Sequence, residues 1–242
     1  MIISILIMII TLYVVFNIYN QHLRRKVLFI EGNIGTGKTT FLSKLEELGD
    51  YEIIYEPVDI WRQLTDSNDK NLLQTFYDNI KRYSYLFQSF AFKSRLEKMM
   101  KPQKKQVRIV ERSVFTDQNV FAQNCFNNGL MTLLEWKVYR YWFNWCTKLY
   151  EKAGYNVNPD AYIYLRALPQ TSYDRIRKRD RSEEESISLE YLTQISNLHD
   201  NWLKGYFNKI PVLVIDCNKD FESDNKYFDK ILVKIKTLIS QI

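Results

Sequence analysis

The sequence predicts an α/β fold in which a parallel sheet of about five strands is flanked by helices, and three observations carry that expectation. Short β-rich runs recur at residues 26–31, 51–55, 107–110, 161–165 and 212–215, and longer stretches with helical periodicity separate them. Such alternation forms a parallel sheet covered by helices. The first run leads directly into EGNIGTGKTT at residues 31–40, where Gly32, Gly37, Lys38 and Thr39 complete the spacing G-x-x-x-x-G-K-[ST] at a strand-to-helix turn. Finally, distinctive residues follow the second, third and fifth runs: Glu56-Pro57-Val58-Asp59, Glu111-Arg112-Ser113 and Asp216-Cys217-Asn218. Ligands of such sheets bind beyond the carboxyl ends of the strands, where these residues fall.

Along the chain, the first nineteen residues form an apolar run broken only by Ser4, Thr11 and Asn17, close to the length of a bilayer-spanning helix. The run has no charged leader and no small-x-small cleavage site, so a signal anchor fits it better than a secretory signal. Arg24, Arg25 and Lys26 follow, and the positive-inside tendency would keep the remainder of the chain in the cytoplasm. The division expected is therefore a hydrophobic segment over 1–23, membrane-anchoring through residues 1–19, and one globular domain over 24–242. The rest of the composition agrees with a single core: 242 residues, 46% apolar and 26% charged, with no internal repeat and no Gly/Pro/Ser-rich linker.

Residues 32–40 (Gly32, Asn33, Ile34, Gly35, Thr36, Gly37, Lys38, Thr39 and Thr40) read as a phosphate-binding loop. Glycines admit backbone N–H groups to phosphate oxygens, Lys38 reaches the terminal phosphates, and the Thr39 hydroxyl can ligate Mg²⁺. The helix that starts near Lys38 adds its positive dipole end. Downstream, Pro57 and Pro169 mark helix or turn starts, and residues 101–106 form a solvated loop before the third strand. Phe76, Tyr77, Phe87, Phe90, Phe121, Trp136 and Trp142 are core by default. The net charge of +6 is spread along the chain apart from a knot at residues 175–181, and no nucleic-acid partner is expected. Cys125, Cys146 and Cys217 show neither disulfide nor metal-ligand spacing, and His22 and His199 have no partner pattern.

The chain resembles the deoxynucleoside kinase family. The resemblance runs from Lys26 to about Leu203 through VLFIEGNIGTGKTT, YEPVDIW, FQSFAFKSR, VERSVFTD, YLRALPQTSYDRIRKRDRSEEESISLEYL and LHDNWL, in order and spacing. It implies a P-loop kinase fold with an arginine-rich lid, beside which the N-terminal hydrophobic helix is an addition. It also implies transfer of the γ-phosphate of ATP or another NTP, with Mg²⁺, to the 5′-hydroxyl of a deoxynucleoside in nucleotide salvage, by a homodimer.

On that resemblance Glu56 is the general base toward the 5′-hydroxyl, and Arg112 pairs with the reacting oxygens or with Glu56. Glu111, like Thr39, would meet the Mg²⁺ shell. Arg175, Arg179 and Arg181 are the expected lid contacts to donor phosphates, with Arg177 pointing outward. Gln88 would pair with the base edge, Trp61, Phe87 and Phe121 would enclose the base, and Tyr77 and Glu184 would hold the sugar 3′-hydroxyl. Ala91, Arg95 and Asp117 bear on base choice: an arginine and aspartate there crowd the place of the thymine methyl group and favour deoxycytidine, deoxyadenosine or deoxyguanosine over thymidine. Residues 216–221 resemble the loop beside the donor base. Two alternatives remain at this level: a nucleoside monophosphate kinase, and a non-catalytic relative such as the accessory respiratory-complex subunit of the same fold.

Overall fold

The fold is known from a computed structural model, which describes residues 24–206 and 210–242 together with Ile10. The expected segment 1–23, and with it the membrane-anchor reading, lies outside the described residues apart from Ile10. Among the described residues no helix is long and apolar enough to cross a membrane.

Five strands form one all-parallel sheet: β1 (Lys26–Glu31), β2 (Glu52–Ile54), β3 (Val107–Glu111), β4 (Ala161–Arg166) and β5 (Val212–Asp216). They lie in the order β2-β3-β1-β4-β5. β1 is central, pairing Ile30 with Glu111 on one side and with Ile163 on the other. Every residue of β1 and β3 is buried, as expected of strands covered on both faces. β2 is shorter than its β-rich run: only Glu52, Ile53 and Ile54 pair, all with β3.

Helices cover both faces. α1 (Lys38–Glu47) and α10 (Asn225–Gln241) pack Phe41, Leu42, Phe228, Ile231 and Ile235 against Leu28, Ile30 and Ile163. On the opposite face Met99, Val120, Ile195 and Trp202 pack against Val27, Phe29, Val110, Tyr162 and Tyr164 of the strands, while α2 (Val58–Gln63), α3 (Leu72–Asp78), α4 (Ile80–Met99) and α7 (Leu133–Lys152) enclose a further core around Phe76, Phe87, Phe92, Tyr139 and Phe143. Local chemistry fixes their starts. Asn71 and Asn79 accept hydrogen bonds from Gln74 N and Arg82 N, and Thr132 with Glu135 forms a reciprocal capping box.

After β3 the chain runs through α5 (Val114–Thr116), a π-helical turn (Asp117–Ala122) and α6 (Gln123–Asn127). The arginine-rich stretch forms α8 (Pro169–Arg179) and a 3-10 turn (Ser182–Glu184), followed by α9 (Leu189–Tyr206). Pro169 opens α8, where its missing N–H costs nothing.

Candidate active site

The carboxyl ends of β1, β2 and β3 open into a cleft of about 390 Å³. Its floor begins with the loop between β1 and α1. Gly35 has φ +79°, and a Cβ there would lie 2.5 Å from the Ser172 carbonyl oxygen of α8, so only glycine lets the loop approach that helix. Gly37, also left-handed, precedes α1, whose N-terminus carries no side-chain cap and leaves its first N–H groups for a ligand. Lys38 Nζ folds back on the Gly32 and Asn33 carbonyl oxygens at 3.2 and 2.6 Å. Burial, with Arg112 nearby, lowers its pKa to about 7 against the opposing pull of Glu111, Glu56 and Glu31.

Thr39 Oγ1 donates to Glu111 Oε1 at 3.2 Å, bringing a hydroxyl and a carboxylate together beneath the loop. Oxygen donors of this kind suit a hard cation that keeps water and phosphate as its remaining ligands. Glu111 Oε2 also accepts from Glu56 N at 3.3 Å, joining the ends of β3 and β2.

Glu56 lies within a buried charge network. Arg95 Nη2 donates to its Oε1 at 2.5 Å, and Arg112 Nε lies 3.3 Å from the same oxygen. Burial would raise the Glu56 pKa, but Arg95, Arg112 and Lys38 outweigh it and hold the carboxyl at about 2. Arg95 Nε is bound by both oxygens of Asp117, at 2.9 and 2.8 Å. Burial pushes the Asp117 carboxyl up to about 6, with Arg95 opposing. The Arg95 guanidinium therefore bridges two carboxylates and also rests 5.3 Å above the Trp61 ring.

Aromatic rings form the far wall. Phe76 stacks on Phe87 at 4.4 Å and 17°, Trp61 meets Phe87 edge-on at 5.3 Å, and Trp61 Nε1 is tied to Ser94 Oγ. Gln88 is buried but lines the cleft, and no hydrogen bond joins its amide to another described residue, so the amide is available to a ligand edge. Phe121 carries the Arg112 guanidinium 4.9 Å above its ring. At the mouth, Arg179 Nη2 bonds both oxygens of Glu184 at 2.7 and 2.6 Å, with Tyr77 alongside.

All nine expected substrate contacts, Trp61, Tyr77, Phe87, Gln88, Arg95, Arg112, Asp117, Phe121 and Glu184, line this one cleft. So do Ile34, Gly35, Gly37, Lys38, Thr39, Thr40, Glu56, Glu111, Arg179 and Arg181. Gly32, Asn33 and Thr36 instead build the loop from within. Thr36 Oγ1 donates to the Asn33 carbonyl, and Asn33 Nδ2 to the Leu192 carbonyl. Arg175 does not line the cleft and acts electrostatically on Cys217 and Asp220 beyond β5. Arg177 is turned away as expected, held by the carbonyls of Glu185 and Ile187. Sequence reasoning missed Leu73 and Tyr191 and took Phe76 for core alone; all three line the cleft. The i, i+3, i+4 spacing of Leu73, Phe76 and Tyr77 was the available signal.

These geometries sit on a chain whose relatives are recognisable. A model of the deoxynucleoside kinase family matches residues 28–240. Deoxycytidine kinase 2 of Gallus gallus is 34% identical over 245 residues, covering 90% of this chain and 91% of its own. Human deoxycytidine kinase is 32% identical, covering 94% and 96%, and human mitochondrial thymidine kinase 2 is 34% identical, covering 88% and 79%. The phosphate loop, the carboxylate and arginine at the neighbouring strand ends and this extent of similarity agree: the chain belongs to the deoxynucleoside kinase family.

Proposed function

We propose that this kinase transfers the γ-phosphate of ATP, or of another NTP, to the 5′-hydroxyl of deoxycytidine, deoxyadenosine or deoxyguanosine in preference to thymidine. The observation that carries this reading is the continuous network Asp117–Arg95–Glu56–Arg112, which joins the base end of the cleft to the phosphate loop. Glu56 accepts the hydroxyl proton as the alcohol oxygen attacks the γ-phosphorus and the bond to the departing nucleoside diphosphate breaks. Arg112 and Lys38 meet the charge spread over the phosphoryl oxygens. Thr39 and Glu111 would hold Mg²⁺, which when bound supplies further neutralisation of the phosphates. Gln88 reads the base between Phe121 and the Trp61–Phe87 wall, while Tyr77 and Glu184 hold the 3′-hydroxyl.

Arg179 and Arg181 act as a lid on the donor phosphates, with Arg179 exchanging Glu184 for phosphate oxygens, and Arg175 acts from the same lid helix beside the donor-base loop 216–221. Residues 24–242 form the kinase domain. The apolar composition of residues 1–19, followed by Arg24 and Arg25, supports an anchor that leaves this domain in the cytoplasm.

Steady-state phosphorylation of the four natural deoxynucleosides with Mg-ATP tests the reading. Deoxycytidine or a deoxypurine is expected to exceed thymidine at least ~10-fold in kcat/KM, the scale at which a pocket rejects one misplaced methyl group. Preferred thymidine overturns the base assignment alone. No turnover from protein that binds ATP moves the acceptor to a monophosphate or the chain to a scaffold.

A homodimer is proposed from the outer face of α7. Leu134, Val138, Tyr141, Trp142, Trp145 and Leu149 form a helical stripe, with Leu134 and Tyr141 exposed at 72% and 76%. α7 packs on α4, which adds exposed Leu86. Together they present a contiguous apolar-rich face of the kind that marks a protein–protein contact. Sedimentation should therefore give a dimer for the native chain and a monomer for Leu134→Glu/Trp145→Glu. A native monomer at micromolar concentration overturns the proposal.

A further inference from the structure

Arg112 has φ +59°, a left-handed conformation that is strained for a residue with a side chain and persists only where its surroundings over-determine it. Three consecutive residues at the end of β1 supply that determination. The Ile30 carbonyl accepts from Arg112 N at 2.9 Å, and the Gly32 carbonyl accepts from Arg112 Nη1 at 2.7 Å. Between them, the fully buried Glu31 carboxylate takes Ser113 N at 2.9 Å and Ser113 Oγ at 2.6 Å on one oxygen, and the Thr116 hydroxyl on the other. Glu31 thus grips the residue directly after Arg112 and the last residue of α5, while its neighbours hold the arginine backbone and guanidinium.

Glu31 does not line the cleft. A buried carboxylate is a costly way to fill a core position, and here every near donor belongs to the segment that presents Arg112. We propose that Glu31 is a positioning residue for phosphoryl transfer: it locks residues 112–116 onto the base of the phosphate loop, so that the Arg112 guanidinium stands beside Glu56 before substrate arrives. Pre-organised charge of this kind needs no rearrangement at the moment of reaction. The inference rests on the phosphoryl-transfer reading of the site for its kinetic consequence, though the clamp itself can be measured without turnover.

Glu31→Gln preserves shape but sets an amide donor against the Ser113 or Thr116 donors. In the full chain it should lower kcat for the best deoxynucleoside by ~10- to 100-fold with KM changed by less than about threefold, the signature of an interaction made in the transition state. The same change should have less than about a twofold effect on the residual rate of Arg112→Ala, because positions that act as a unit do not add. Amide exchange at Arg112 and Ser113 should quicken at least ~10-fold while Ile109 stays protected. Thr116→Val, a milder loss of one donor, should show the same pattern more weakly and serves if Glu31→Gln does not fold. Equal losses with and without Arg112, or a kcat deficit that only follows the folded fraction, would assign Glu31 a purely structural role. Unchanged exchange at residues 112 and 113 overturns the clamp even in a chain that phosphorylates nothing, whereas inactivity of the native chain alone counts against the kinase reading of the site.

Discussion

Glu56→Gln should reduce kcat for the preferred deoxynucleoside by about 10²- to 10⁴-fold while KM stays within a few-fold, the loss expected when a positioned proton acceptor is replaced by an amide. The direction follows from the site's electrostatics. Burial disfavours the Glu56 charge, yet Arg95, Arg112 and Lys38 hold its pKa near 2, so the carboxylate is ionised throughout the neutral range. A group held so acidic is a weak base toward a resting alcohol. Its contribution is orientation of the hydroxyl and acceptance of a proton that becomes acidic only as the oxygen–phosphorus bond forms. Removal of the Glu56 charge also leaves Arg95 and Arg112 without their shared counter-ion, so each is less firmly aimed. Steady-state kinetics on the full chain, with ATP binding measured in parallel, check the claim; near-native kcat would exclude Glu56 from the proton path.

The second large effect is on stability and base choice together. Arg95→Met strands the buried Asp117 carboxylate and takes from Glu56 one of the two arginines that face it, leaving Arg112. Loss of one partner from a buried pair typically costs about 3–5 kcal/mol, and the double change Arg95→Met/Asp117→Ala should recover much of it by removing the second charge as well. Denaturant unfolding would show the non-additivity directly. In the same double variant the crowding charge at the base end is gone, and thymidine use should rise relative to deoxycytidine. A double variant as unstable as Arg95→Met would refute the charge-network account, and unchanged base preference would refute the specificity assignment.

Much of this was legible from local pattern. The strand runs matched β1 to β5 to within one residue at each end, because alternation of apolar strands with longer helices carries both the elements and their parallel arrangement. The cleft residues fell just past those strands or within recognisable motifs. What escaped depends on distance along the chain. Glu31 meets Ser113 and Thr116 across 82 and 85 residues, and no spacing rule reports such a pairing. Arg95 was expected to face Asp117, yet its second carboxylate, Glu56, became visible only once β2 and α4 were set side by side. Phe76 was read as core because a ring that stacks in the interior and also walls a ligand space has one sequence signature for both duties. The helical spacing around Arg175 did not distinguish the arginines that reach the cleft from one that faces the loop after β5.

The all-parallel arrangement of the sheet has a consequence for how the enzyme can be held in a cell. Every strand runs toward the cleft, so Lys26, at the start of the central strand, lies at the opposite end of the sheet, beside Asp160 and Gln106. Whatever is joined to the chain ahead of Arg24 therefore pulls on the rear of the domain. A tether at that point would hold the domain from the side opposite the entrance for nucleoside and nucleotide.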